Sequence, residues 1–536
     1  MPRILARLLT AVALLAGGAG MAQAQDRAAI MTAICSGDFS AQRSALEQLA
    51  NAGAIGGREG ALWAQAIVDG FEGRTLRCGE GIAVLDTADG PVRATTLAPA
   101  EGVDTATLAA PSVNLKLRAT AASASAVVRL FSEDDPAARL QAVGDLDRRR
   151  EAVSAETLAV AQELETDTAV GAALSAVYAS LLLSDPDPAR RIAAINAVAD
   201  DATLRNRTTI SQALTGETDA DVLAAGAAAL TDMDRTLAIG RILSSLYSGA
   251  SYASVLFLAA LGLAIIFGLM GVINLAQGEL IMVGAYAAWF TQEAIRAVLP
   301  GVIDYYLIIA IPVSFMAAAL VGLLMEVLVI RRLYDRPLMT LLATWAISLL
   351  LINTVRVTIG SQNLEFYQPG YVSGGFPVLG DFIMTTNRLF AIGIAVAAFG
   401  AVVILLRKSL FGMNIRAVTQ NRAMAGAIGI DTRKTDRLAF ALGSGLAGLA
   451  GLALSPLYNV NPNMGANFIV DSFMVVVLGG VGSLVGAVLA AIGIGQINVI
   501  IEPLYGAVAA KVFVLLLVVV FIQRRPEGLF APKGRR

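Results

Sequence analysis

Histidine is absent from all 536 residues. That absence removes imidazole acid–base catalysis, Ser–His nucleophile pairs and His-ligated metal centres. Cysteine is almost absent: Cys35 and Cys78 are the only two, too few for a thiolate zinc site. Charge is scarce, at 15% of residues with a net −2, so the basic footprint that nucleic acid requires is missing. No GxxxxGK[ST] phosphate loop occurs, so the chain is not itself a P-loop ATPase. These absences point away from an enzyme and imply neither cofactor nor metal. What is plentiful is apolar: 56% of residues, with a mean hydropathy of +0.67. A soluble globular chain carries less.

The first residues have the layout of an export signal. Arg3 and Arg7 give a positive start, an apolar run spans about Leu8 to Met21, and Ala22-Gln23-Ala24 is a small-x-small cleavage site. A short first membrane helix is the competing reading, and the brevity of the run argues against it. Residues 25–235 contain no apolar run of membrane length and form an exported, mostly helical domain by this reading. Glu80 to Lys116, rich in Thr, Gly, Pro and Val, suggests short strands and loops. Two similar openings, Asp135-Pro136 and Asp187-Pro188, each start an Ala-rich helical stretch. They fit either a small stack of repeated helices or two unrelated helix starts. Cys35 and Cys78 both fall in this exported part, where an oxidising compartment favours a disulfide.

From about 240 to 523 the chain is a membrane domain. Apolar segments recur at 246–268, 272–292, 305–330, 338–358, 388–407, 438–456, 467–480, 481–500 and 506–523. Most are long enough to cross ~30 Å of hydrocarbon. The short one at 467–480, ending in Gly479-Gly480, suits a half-helix buried in protein. The expected fold is an α-helical polytopic membrane protein of eight or nine crossings behind a mostly helical periplasmic domain. Lys and Arg cluster at 331–336, at 407–437 and in the tail 524–536, which by the positive-inside rule face the cytoplasm. An exported amino terminus and an internal tail require an odd number of crossings.

Four features within this domain are candidates for function. Asn274, Gln277 and Glu279 bring polar groups to hydrocarbon depth, either lining a pathway or joining helices. Thr340, Thr344 and Ser348 recur every four residues and put three hydroxyls on one helix face, as a polar stripe or as backbone-bonded packing. Gly479, Gly480, Gly482 and Gly486, like Gly443 to Gly451 before them, suit close helix packing or a broken helix. The long basic stretch 412–437 has an Ala-rich helical run that stops at Gly429 and restarts after Asp431. It is either a docking surface for a soluble partner or a solvated loop that sets topology.

GLMGVINLAQGELIMVGAY (268–286), NIRAVTQNRAMAGAIGI (414–430), VVVLGGVGSLVGAVLAA (475–491) and RRPEGLF (524–530) occur in this order. Together they resemble the branched-chain amino-acid and urea ABC permeases over roughly 240–536. Within that family RPLMTLLATWAISLLL, GSQN and YVSGGF (336–351, 360–363, 371–376) look like the urea permease subunit. Gln277 stands where the family commonly has His, and Gln cannot titrate. The resemblance implies a bacterial inner-membrane importer subunit for urea or short-chain amides. The alternatives are a branched-chain amino-acid permease or a stand-alone small-solute channel. It implies as partners a second homologous permease, two cytoplasmic ATPase subunits and a periplasmic substrate-binding protein. The stretch holding Arg416, Ala417, Asn421, Ala425 and Gly429 resembles the family's ATPase-coupling region.

Overall fold

A computed structural model describes residues 26–530 apart from 80, 101, 150–152 and 335. The export signal read at 1–24 and the end of the basic tail lie outside the described residues. The chain divides into two compact units, Met1–Arg235 and Thr236–Arg536.

In the first unit, helices α1 (26–35) and α2 (Phe39–Glu72) precede a three-stranded antiparallel sheet of β1 (Leu76–Gly79), β2 (Ile82–Thr87) and β3 (Gly90–Arg93). Helices α3 (Leu115–Ser132), α4 (Pro136–Arg148), α5 (Ala155–Leu164), α6 (Thr168–Leu182), α7 (Pro188–Ala199) and α8 (Leu204–Ala213) follow. Cys35 ends α1 and Cys78 lies in β1; they are bonded, with Cα atoms 5.5 Å apart. The core gathers Ile34, Leu46, Leu49, Ile67, Leu76 and Leu117, and Trp63 donates its indole N–H to the Ala94 carbonyl at 2.8 Å.

The two Asp-Pro openings share one construction. Asp135 caps α4 by accepting from the Ala137 amide, and Asp187 caps α7 from the Ala189 amide, both at 3.0 Å. Four residues on, Arg139 pairs with Glu165 at 2.8 Å and Arg191 pairs with Glu217 at 2.9 Å. Each pair is separated by 26 residues, and each Arg also donates to two carbonyls just before its own helix. Each Glu in turn accepts from the next two backbone amides. Matching caps, ion pairs and carbonyl contacts at matching offsets are what a duplicated helical unit would produce.

The division between units falls within α9 (Ala220–Met270). The second unit then contains α10 (Gln277–Val298), α11 (Tyr306–Leu328), α12 (Pro337–Thr358), a hairpin of β4 (Gly375–Leu379) and β5 (Phe382–Thr385), and α13 (Thr386–Lys408). Two short helices, α14 (Leu410–Gln420) and α15 (Arg422–Ala427), precede α16 (Thr432–Leu454), α17 (Ala466–Gly479), α18 (Leu484–Tyr505) and α19 (Ala507–Arg524). Helix α16 packs against both α10 and α11. Glycines permit that approach: a Cβ on Gly284 would sit 2.2 Å from the Gly448 carbonyl, and one on Gly443 2.5 Å from the Gly262 carbonyl.

Each of the nine apolar segments is a helix, but seven among the described residues are long and apolar enough to cross a membrane. The expected polytopic helical fold is present, and the other two segments, α10 and α17, differ from these seven in polarity and in length. Helix α17 has 14 residues, a rise of roughly 21 Å. Helix α10 is long enough but polar at both ends, through Gln277 and Glu279 at one and Gln292, Glu293 and Arg296 at the other. It starts at 277 rather than 272 because the chain unwinds over 271–276.

Candidate functional site

The polar residues of α12 share one buried face. Thr340, Thr344 and Ser348 are 1%, 0% and 8% exposed, whereas Leu338, Leu342 and Leu350 on the other sides are 80%, 55% and 64% exposed. Hydroxyls in and leucines out is the arrangement of a helix in lipid or against another apolar surface. The buried face meets the unwound stretch before α10. The Leu275 amide donates to the Thr344 hydroxyl at 3.2 Å, and that hydroxyl donates to the Leu341 carbonyl at 3.0 Å. Ser348 lies near the Glu279 carboxylate, one of whose oxygens is buried without a partner. Asn274 accepts from the Ala276 amide at 3.1 Å and donates to Gln277 at 3.2 Å, and Gln277 donates to the Gly443 carbonyl at 3.2 Å.

Asn274, Gln277 and Thr344 therefore form one buried network where α9 breaks, joining α10, α12 and α16, with buried Ser348 and Glu279 close by. Thr340 stands one turn away, bonded to the Leu333 and Arg336 carbonyls. Among them one acceptor, on Glu279, is buried without a partner. An arrangement of this kind can bind a small polar solute or, in its absence, hold the broken helix in register.

The stretch 409–431 folds as an elbow of two short helices. Ser409 caps α14 through the Gly412 amide at 3.1 Å, and Asn421 caps α15 through the Met424 amide at 3.0 Å. Gly429 ends α15 with φ +94°, which a side chain would strain, and Asp431 then caps α16 through the Lys434 amide at 3.0 Å. Ala425 is buried, Ala417 partly so, and Arg416 donates to the Leu406 carbonyl. Leu410, Met413, Met424 and Ile428 remain exposed around the elbow.

Sequence reasoning passed over the residues that tie this elbow to the bundle. Arg422 pairs with Asp436, which is fully buried on α16, and its guanidinium lies over the Tyr334 ring at 5.5 Å. Tyr334 donates to Glu326 at 3.2 Å and lies 3.1 Å from the Met270 sulfur. Glu326, buried on α11, also pairs with Arg331 at 3.2 Å. An acidic residue amid apolar neighbours, as in GLLMEVLVI, was the available signal.

Beside the elbow, where Gly482 and Leu484 share a pocket with Ile415, Arg416 and Thr419, the glycine cluster divides by role. Gly479 and Gly486 meet backbone to backbone, a Cβ on Gly486 falling 1.8 Å from the Gly479 carbonyl. Gly480 has φ +93° and a Cβ there would lie 2.6 Å from the Phe530 carbonyl. Gly482, with φ +82°, has open space around it.

The family of branched-chain amino acid transport system permease components matches residues 245–523. The high-affinity branched-chain amino acid transport system permease protein LivH of Salmonella typhimurium is 26% identical over 54% of this chain and 94% of its own length. BraD of Pseudomonas aeruginosa, named for the same kind of system, is 26% identical over 54% of this chain and 95% of its own. The probable branched-chain amino acid transport permease protein LivH of Methanocaldococcus jannaschii is 27% identical over 52% of this chain and 89% of its own. No solved structure matches the chain. The match spans the membrane helices, both polar networks and the two-helix elbow, and the chain belongs to the family of branched-chain amino acid transport system permease components.

Proposed function

We propose that this chain is the membrane-spanning permease subunit of an ATP-driven importer of branched-chain amino acids. The observation that carries the reading is the family match over 245–523, together with relatives of that name aligned over almost their full length. In this reading a second, homologous permease completes the pathway, two cytoplasmic ATPases drive it and a periplasmic binding protein delivers the solute. The elbow around Arg416, Ala417, Asn421, Ala425 and Gly429 docks on an ATPase through exposed Leu410, Met413, Met424 and Ile428. The Arg422–Asp436–Tyr334 contacts support a relay from that elbow to α11 and α16. The subunit sits in the cytoplasmic membrane, with residues 25–235 on the outer side and the Lys/Arg clusters inside.

Urea or a short-chain amide is the second reading. The buried amides and hydroxyls of Asn274, Gln277, Thr344 and Ser348 favour it, because a neutral solute needs hydrogen-bonding partners rather than charges. None of the relatives' names above refers to urea. Uptake of labelled leucine and of labelled urea by cells expressing the full transporter decides between them. Leucine uptake that needs intact ATPases is the expected result; urea uptake alone overturns the substrate, and uptake without ATPases overturns the importer. Reporters fused near residue 230 and after Arg536 should read as outside and inside; the same side for both overturns the topology.

A further inference from the structure

A pocket of about 270 Å³ opens where α16 ends, α17 begins, α18 ends and α19 begins. It lies at the opposite end of α16 and α18 from the elbow and shares no residue with the polar network at α10. Its size is below that of sites for drug-sized ligands, which run from about 300 Å³ upward. Two kinds of lining meet there. Leu454, Met464, Phe468 and Ala507 give an apolar wall; Asn498, Glu502, Lys511 and the tyrosines Tyr252 and Tyr458 give a polar one.

The polar wall is built but incomplete. Asn498 is 3% exposed and its side-chain amide nitrogen has no hydrogen-bond partner. An unmet buried donor costs about 1–3 kcal/mol, so something is expected to accept from it. Lys511 lines the same pocket, anchored at 2.9 Å on the Asn467 carbonyl with donors to spare. Glu502 supplies a carboxylate, and among the described residues it makes no ion pair with Lys511. Behind the pocket the Tyr252 hydroxyl donates to Asp471 at 3.1 Å, and the other oxygen of Asp471, a fully buried residue, has no partner. A carboxylate and an ammonium that line one small cavity without pairing, together with an unmet buried donor and an apolar wall, match a molecule that carries both charges itself.

We propose that this pocket is a binding site for a small zwitterion with an aliphatic side chain. Its carboxylate is met by Lys511 and the free Asn498 amide, its ammonium by Glu502, and its side chain by Leu454, Met464 and Phe468. Asp471 is a positioning residue, holding the Tyr252 ring at the pocket wall. A neutral amide such as urea has no charge for Lys511 or Glu502 and no apolar part for the wall. This assignment rests on the transport function proposed above, and the test separates the two.

The permeases and ATPases, assembled in nanodiscs without the binding protein so that its own solute site does not contribute, are titrated with labelled leucine at equilibrium, against 3-methylbutylamine, which lacks the carboxylate, 4-methylpentanoate, which lacks the amine, and urea. Leucine should bind, with each competitor at least tenfold weaker. Lys511→Gln should weaken leucine at least tenfold and abolish its advantage over 3-methylbutylamine. Glu502→Gln should abolish its advantage over 4-methylpentanoate. Both side chains reach the surface, so neither variant threatens folding. Wild-type affinity in both variants, equal displacement by the one-charge analogues, or no leucine binding to the unaltered importer overturns the site. If leucine uptake persists in cells under any of these results, the transport function stands and the site alone fails; uptake of urea in place of leucine removes both.

Discussion

Replacing Arg422 with methionine tests whether the elbow is tied to the bundle by charge. Asp436 is 0% exposed and the Arg422 side chain 44% exposed. Removing one partner of a fully buried pair costs about 3–5 kcal/mol, while an exposed pair is worth about 0–1 kcal/mol. A half-exposed guanidinium on a buried carboxylate falls between, at about 2–3 kcal/mol, and loss of the contact over Tyr334 adds about 0.5–1 kcal/mol. Asp436→Asn removes the ion pair but keeps the Tyr334 contact and strands no charge, so it should cost less than Arg422→Met. Unfolding of the full chain in detergent, followed for both single variants and the double, gives the coupling energy. A value above about 1 kcal/mol is expected. A coupling below about 0.5 kcal/mol, the level of ordinary additivity, would refute the argument. If the elbow docks on an ATPase, the same Arg422→Met variant should also lower transport-linked ATP hydrolysis in the assembled importer.

Three further outcomes are expected. The Glu165 carboxylate is held below the usual range, first by its hydrogen bond from Arg139; a depressed folded value means its stabilisation is present above an unfolded value of about 4.3 and is lost as pH falls through the folded one. Glu165→Gln should therefore cost about 2–3 kcal/mol near neutral pH and flatten the acid limb of the stability curve below about pH 4; an unchanged acid limb would show that the pair does not act this way. Reducing Cys35–Cys78, 43 residues apart, should remove about 4 kcal/mol by loop-closure entropy, read as a fall in Tm on adding reductant; no shift contradicts it. Gly448→Val should block accumulation of the chain because a Cβ there would lie 2.5 Å from the Ser314 carbonyl, whereas Gly400→Ala and Gly493→Ala, with open space at both sites, should be tolerated.

Helix positions in the membrane unit were legible because each is an apolar run bounded by charge or glycine. Their ends were legible only where a cap is written in the sequence. Asp431 starts α16 at 432, six residues before its apolar run begins. No such mark announces the unwound stretch 271–276, where apolar VINLA reads as the start of a segment at 272 and only Gly271, at φ +68°, signals a break. The hairpin Gly375–Thr385 was missed for a related reason: its strands expose Phe376, Val378 and Ile383 and carry no buried alternation. The polar candidates on α10 and α12 were found because charge and amide groups are conspicuous in apolar sequence. Their partners were not, since Leu275 contributes a backbone amide and Gly443 a carbonyl, neither of which side-chain chemistry reveals.

The two helices not counted as spans, α10 for its polar ends and α17 for its length, both carry buried polar side chains. Hydropathy measures the cost of facing lipid, and that cost falls on a residue only if it faces lipid. Helix α10 is shielded by α11 and α16, so Gln277, Glu279 and Gln292 can be carried at burial of nine-tenths or more without a lipid penalty. Helix α17 is short and carries Asp471 and Ser472, both fully buried. In lipid-facing α12 the same tolerance is confined to one stripe, at Thr340, Thr344 and Ser348. Polar groups thus accumulate where neighbouring helices already exclude lipid.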